Sequence, residues 1–280
     1  MPELPEAETI RCQLEREIVG STVRRIEVHI PRAAREQGSL KELARLVEGR
    51  RVQEVGRRGK AVLIYLNSKR PSTVIIRLGM TGQIRVVPAA EPIAKHTSAT
   101  LALSGRLHVR FIDQRQFGSI TARPGHRIEE MPEFQDYGPE PFSDEFTPAY
   151  LKQAFARRSA DLESVLMNQK VVAGIGKIYA DEICFRAGLR PKRVANRLTG
   201  PMRLRLWQAA REVLAEAISC RGSSARDETY TDLYGLPGRF QDRLQVYQRT
   251  GEPCRACGTP IRRAKMAGGR GMHWCPKCQL

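Results

Sequence analysis

Two cysteine pairs, Cys254-Arg-Ala-Cys257 and Cys275-Pro-Lys-Cys278, constrain the fold of this chain more than any other feature. Paired thiols at this spacing are a zinc signature. Four thiolates close a tetrahedral shell, which predicts one structural Zn2+ rather than a catalytic ion with an open position. The surrounding segment is too short to bury a core of its own, so metal binding supplies its folding energy. Between the pairs, Gly258 to Trp274 carries basic residues and no Asp or Glu. Thr259 to Met266 and Met272 to Trp274 read as the two strands of a hairpin, with the glycines around Arg270 at its turn. An arginine at the tip of a metal-stapled hairpin suits phosphate binding. His273 is expected on the hairpin surface, because four cysteines already fill the shell. Cys12, Cys184 and Cys220 are isolated in sequence and read as small buried hydrophobes. No apolar signal segment opens the chain, so a reducing cytoplasm is expected.

The formal net charge of +17 calls for a polyanionic partner. An anionic membrane is the weaker option. No apolar run reaches the roughly 20 residues of a membrane span, and there is no basic amphipathic anchor. Nucleic acid therefore leads. At 280 residues and 41% hydrophobic content, the chain has room for two packed domains besides the zinc module.

The first half is β-rich. Val23 to Ile30, Val52 to Gly56, Ala61 to Leu66, Thr73 to Leu78, Gln83 to Val87, Ser98 to Leu103 and Arg106 to Ile112 are short β-branched or alternating runs. Ser104-Gly105 is a hairpin turn between the last two. Helices are expected at Glu6 to Glu17 and Lys41 to Glu48. Many short strands of this kind predict a sandwich or barrel-like sheet. Dense Pro/Gly punctuation at Gly138 to Ser143 then marks a domain boundary, after which the period turns helical. Thr147 to Arg157, Asp161 to Asn168, Ile178 to Ala187 and Arg203 to Ser219 are the predicted helices. Gly174-Ile-Gly176-Lys177 leads straight into the third. Free N–H groups, a positive dipole end and a nearby ammonium make that turn a candidate anion site.

The opening Met1-Pro2-Glu3-Leu4-Pro5-Glu6 carries the catalytic signal. Loss of Met1 makes Pro2 a secondary amine, and an α-amino group has a pKa of about 7.7–8. A useful fraction is then neutral near pH 7. Attack on a sugar C1′ or an aldehyde gives an iminium ion that acidifies the adjacent carbon. Glu3 stands beside that amine as a proton carrier.

These residues together resemble the bacterial formamidopyrimidine-DNA glycosylase (Fpg/Nei) family over essentially the full length. The resemblance rests on Pro2-Glu-Leu-Pro-Glu6, Arg58-Gly-Lys60, Leu78-Gly-Met80-Thr-Gly82 and Asp113-Gln-Arg115-Gln-Phe117-Gly118. Gly174-Ile-Gly176-Lys-Ile-Tyr179-Ala-Asp-Glu182 and Gly268-Gly-Arg270-Gly complete it. It implies an α+β multidomain protein: an N-terminal β-sandwich (1–137), a helix–two-turns–helix domain (144–240) and a C-terminal zinc finger (241–280), with DNA across the cleft between the main domains. It implies excision of oxidised purines from damaged double-stranded DNA, followed by β,δ-elimination at the abasic site, with Pro2 as nucleophile and Glu3 as proton shuttle. Lys60 and Arg270 would grip the phosphate backbone at the lesion, and Glu6 is similar to a second carboxylate near the lesion pocket. Met80, Arg115 and Phe117 match the residues that fill the hole left by a flipped base. A cytoplasmic, nucleoid-associated monomer with no membrane contact is expected. The alternatives are the sister activity on oxidised pyrimidines or an alkylated base, which the retained Arg115 and Phe117 disfavour, or a noncatalytic zinc-ribbon nucleic-acid-binding protein.

Several positions depart from the family pattern. Lys177 replaces an asparagine that binds phosphate, and as a point charge it is expected to keep the contact. Gln116 replaces the second arginine of Arg-Arg-Phe. Glu163 falls where the family often has a lysine linked to oxidised-purine recognition. The gap between the cysteine pairs is one residue longer than usual. Arg221 to Arg239 would be the loop that closes on the flipped base.

Overall fold

The computed structural model describes residues 2–67, 69–224, 230–265 and 271–280. Contacts divide the chain into two compact units, Met1–Gln135 with Ile218–Gln241, and Asp136–Ala217 with Asp242–Leu280.

The first unit is a β-sandwich with a helix against both of its sheets. Helix α1 (Leu4–Ile18) leads into β1 (Val23–Val28), α2 (Leu40–Val47), β2 (Arg51–Arg58), β3 (Ala61–Asn67), β4 (Ser72–Arg77), β5 (Gly82–Pro88), β6 (Thr97–Leu103), β7 (Leu107–Asp113) and β8 (Ser119–Pro124). Two antiparallel four-stranded sheets result, in the orders β1-β6-β7-β5 and β2-β3-β4-β8. Register follows the apolar alternation. Val62 faces Ile76 and Ile64 faces Val74, while Ile84 faces Phe111 in the other sheet. In β2, Val52 and Val55 are three residues apart and yet both reach the core, because a register shift between Val52 and Glu54 absorbs the extra residue. Helix α1 packs on β2 and β3 of one sheet and β5 of the other. Its fully buried Leu4, Ala7, Ile10, Leu14 and Ile18 form the stripe that does so. Each large apolar side chain buried in this way contributes roughly 1.5–3 kcal/mol. The start of the chain is thereby fixed to the core.

Strand β8 has no counterpart among the sequence expectations. Thr121, Arg123 and the terminal Pro124 dilute its pattern, and only Ile120 and Ala122 join the core cluster. It is an edge strand, where a terminal proline is tolerated.

The second unit contains α3 (Pro148–Phe155), α4 (Leu162–Leu166), α5 (Lys177–Arg186), α6 (Gly200–Ser219) and the hairpin of β9 (Arg262–Lys265) with β10 (Gly271–Trp274). Thr147 caps α3 by accepting the Tyr150 N–H at 3.0 Å, and Pro148 occupies the first turn. The segment Ile218–Gln241, assigned from sequence to the helical domain, belongs by its contacts to the first unit.

Candidate active site

Pro2 and Glu3 are buried at the mouth of α1. Glu3 is the N-cap in extended conformation, and a capping box joins it to Glu6. The Glu6 carboxylate accepts the Glu3 N–H through Oε2 at 2.7 Å and the Ser223 N–H through Oε1 at 2.7 Å. Glu6 therefore braces the start of the chain and the Ile218–Gln241 segment at once. Gly222 makes this possible. Its φ is +77°, and a Cβ there would lie 2.6 Å from Glu6 Oε1. Further along α1, the Gln13 amide donates to Asp232 Oδ2 at 3.1 Å and its oxygen accepts the Leu233 N–H at 2.9 Å. The Ser224 hydroxyl donates to the Tyr230 carbonyl at 2.7 Å.

Lys60 lies in the tight turn between β2 and β3. Arg57 ties that turn to α1. Its Nε donates to Glu8 Oε2 at 2.9 Å and one terminal nitrogen donates to the Gly59 carbonyl at 2.8 Å. Burial works against the Glu8 charge, but the Arg57 and Arg11 guanidiniums hold its carboxyl below the ordinary value. Sequence reading missed Glu8 and Arg57. Their only signal was a Glu one turn after the active-site residues and an Arg just before Arg58-Gly-Lys60.

Met80, Arg115 and Phe117 come together from two adjacent loops. Thr81 Oγ1 donates to Asp113 Oδ1 at 2.5 Å and accepts the Arg115 N–H at 3.1 Å. Asp113 Oδ2 accepts the Gly118 N–H at 2.7 Å. Gly79 has φ of +64°, and a Cβ there would sit 2.6 Å from the Gly118 nitrogen. Arg35, which sequence reading also missed, donates to the Phe117 carbonyl at 2.9 Å and the Gly118 carbonyl at 2.7 Å. The result is a rigid platform with exposed apolar tips. Met80 is 36% and Phe117 46% exposed. The Arg115 guanidinium lies 5.0 Å from the Phe117 ring centroid.

In the second unit, four cysteine Sγ atoms lie within 4.8 Å of one another. A Zn–S bond of about 2.3 Å implies Sγ separations of about 3.8 Å in a tetrahedron. Cys254 to Cys278 is 3.9 Å and Cys257 to Cys275 is 3.5 Å. Thr259 holds the Cys257 thiol down to about 6, while burial and the neighbouring thiols push Cys278 up to about 12. Four Sγ atoms this close together suit a single shared divalent cation. The four thiols fit one structural Zn2+.

Helix α5 docks this module with consecutive carboxylates. Glu182, buried, accepts the N–H groups of Gln245 at 2.9 Å, Val246 at 3.0 Å and Tyr247 at 2.9 Å. Asp181 Oδ2 lies 2.8 Å from His273 Nδ1 on β10. His273 is thus buried rather than on the hairpin surface, and burial, with the Lys177 and Arg263 charges, lowers its pKa to about 4. The Lys177 ammonium is 2.5 Å from Asp181 Oδ2 and also pairs with Glu163. Its side chain is 12% exposed, and the ammonium also lies 5.8 Å from the Tyr247 ring centroid. Arg270 and the turn around it lie outside the described residues.

Comparisons with known proteins agree along the whole chain. Family models match residues 1–120 (formamidopyrimidine-DNA glycosylase N-terminal domain), 137–229 (its H2TH domain) and 251–280 (zinc finger found in FPG and IleRS). The formamidopyrimidine-DNA glycosylase of Carboxydothermus hydrogenoformans is 44% identical over 279 residues, covering 100% of both chains. The crystal structure of the MutM (Fpg) protein of Thermus thermophilus superposes with a TM-score of 0.88 at 42% identity, covering 99% of this chain and 98% of that one. Lactococcus lactis Fpg in complex with an abasic-site-containing DNA gives 0.89 at 33% identity, covering 99% of each. Full-length relatives and family models together place the chain in the class of DNA glycosylases of base excision repair. It belongs to the formamidopyrimidine-DNA glycosylase family.

Proposed function

We propose that this enzyme excises oxidised purines, 8-oxoguanine and formamidopyrimidines, from damaged double-stranded DNA and then cleaves the abasic strand through a Schiff base on Pro2. The observation that carries the reading is the buried Pro2-Glu3 start of α1, braced by Glu6. The Pro2 nitrogen attacks C1′ of a flipped nucleotide and the glycosidic bond breaks. The base leaves with the bonding electrons and takes up a proton. Glu3 is placed to move protons in base departure and ring opening. The resulting iminium acidifies C2′, so loss of that proton expels the 3′ phosphate, and a second elimination expels the 5′ phosphate. Lys60 and Arg270 serve the flanking phosphates. Met80, Arg115 and Phe117 occupy the vacated stack, with the guanidinium facing the orphaned base.

The zinc, held by Cys254, Cys257, Cys275 and Cys278, supplies no step of the chemistry and orders the hairpin. The three modules act as a catalytic sandwich (1–137), a DNA-gripping helical domain (144–240) whose Ile218–Gln241 segment packs with the sandwich, and a zinc finger (241–280). The protein works as a monomer in the cytoplasm at the nucleoid, and no described helix is long and apolar enough to cross a membrane. Duplexes with single defined lesions, incubated with borohydride, test the reading. A covalent adduct with 8-oxoguanine or formamidopyrimidine duplex supports it. Adducts only with oxidised pyrimidines, or trapping by protein with a blocked N-terminus, would overturn it.

A further inference from the structure

The structure puts Glu163 of α4 and Lys177, the first residue of α5, in contact. The Lys177 ammonium pairs with Glu163 and with Asp181, and Glu163 and Asp181 side chains have no solvent exposure. The Lys177 side chain is itself only 12% exposed, and its ammonium also lies 5.8 Å from the Tyr247 ring centroid. An ammonium has three donors. Two of them face carboxylates and the aromatic ring covers another side. A phosphate contact would draw this cation away from two buried carboxylates and leave them adjacent and uncompensated, a costly arrangement.

Asp181 shows what the cation is for. The carboxylate oxygen that meets Lys177 also lies 2.8 Å from His273 Nδ1. His273 sits in β10, opposite Arg263 of β9. The chain of contacts therefore runs from α4 (Glu163) through the first residue of α5 (Lys177) and Asp181 to the return strand of the zinc hairpin.

We propose that Lys177 is a positioning residue, not a DNA ligand: shared between Glu163 and Asp181, it holds Asp181 where that carboxylate can fix the zinc hairpin through His273. This inference rests on the reading of the protein as a DNA-binding enzyme.

The test is a double-mutant cycle on the zinc-loaded full chain. Unfolding midpoint and binding to an undamaged duplex, as a function of salt, are measured for wild type, Lys177→Asn, Glu163→Gln and the pair. Lys177→Asn is expected to lower the midpoint by several degrees and weaken duplex binding several-fold. Its salt slope should stay within less than the roughly 0.9 unit that one phosphate contact adds. Adding Glu163→Gln should restore most of both losses, because it removes the buried carboxylate that Lys177→Asn leaves without a cation. A merely local packing role would give additive losses without this rescue. A slope reduced by about 0.9 in both backgrounds with an unchanged midpoint, or additive losses, overturns the proposal. If wild type itself fails to bind duplex, the DNA reading fails instead, and the midpoint cycle still decides the charge coupling.

Discussion

Glu6 in the sandwich and Glu182 in the helical unit are both buried carboxylates that brace a distant stretch of chain through backbone N–H groups. Glu6 accepts two backbone N–H groups, from Glu3 and Ser223. Glu182 accepts three, from Gln245, Val246 and Tyr247. Asp181, the residue before Glu182, and Glu163 of α4 instead share a lysine. The lesson is that N–H groups and an ammonium are interchangeable means of burying a carboxylate, with different sensitivities. Only a change to proline removes a backbone donor, whereas any substitution removes a lysine, and it takes two partners down with it.

The largest effect separates chemistry from bracing. Glu3→Gln keeps size and hydrogen bonding but loses proton transfer, and should reduce base excision by about 10²–10⁴-fold. Lesion-duplex binding should persist, and cleavage of a preformed abasic site should suffer less, because Pro2 and the aldehyde suffice for the Schiff base. Excision at the wild-type rate would move the role to Glu6.

Metal loss comes next. Cys275→Ser should release zinc and weaken binding to damaged and undamaged duplex alike, leaving the sandwich folded. Metal analysis and titration with both duplexes check this, and an active, zinc-free protein would refute it.

The two backbone-bracing carboxylates can then be set against each other. Each Glu→Gln change turns an acceptor oxygen into a donor facing an N–H, which costs about 1–3 kcal/mol. Glu182→Gln should lie at the upper end, since three N–H groups depend on it, and should also lower zinc affinity. Glu6→Gln should lie lower and slow excision through the Gly222–Ser223 segment. Equal zinc affinities in the two variants would break the distinction.

The smallest effect is on pH dependence. Burial and the adjacent Asp181 push Glu163 up to about 8, and burial pushes Asp181 up to about 7 against the opposing pull of Lys177. Their folded values exceed the unfolded ones, so the folded state binds more protons. The stability this gives is present below the unfolded values of 4.5 and 3.8 and is lost as pH rises through about 7 to 8. Glu163→Gln should flatten that decline in unfolding midpoint across neutrality. An unchanged slope would mean that Glu163 ionises freely in the folded protein.

The sequence alone determined the sandwich strands with strong alternation, the capped helices, the four zinc ligands and the Pro2-Glu3 start, because each depends on spacing within a short window. It also named Met80, Arg115 and Phe117, through the motif resemblance. Tertiary structure decided what depends on partners far along the chain. Arg35 on the Phe117 and Gly118 carbonyls spans β1 to β8, Glu6 meets Ser223 from the other end of the sequence, and Glu163 meets Lys177 and, through Asp181, His273. The same distance explains one reversed expectation. His273 looks outward when judged by its neighbours in sequence. It turns inward because a buried carboxylate, placed by folding alone, is a stronger partner than water.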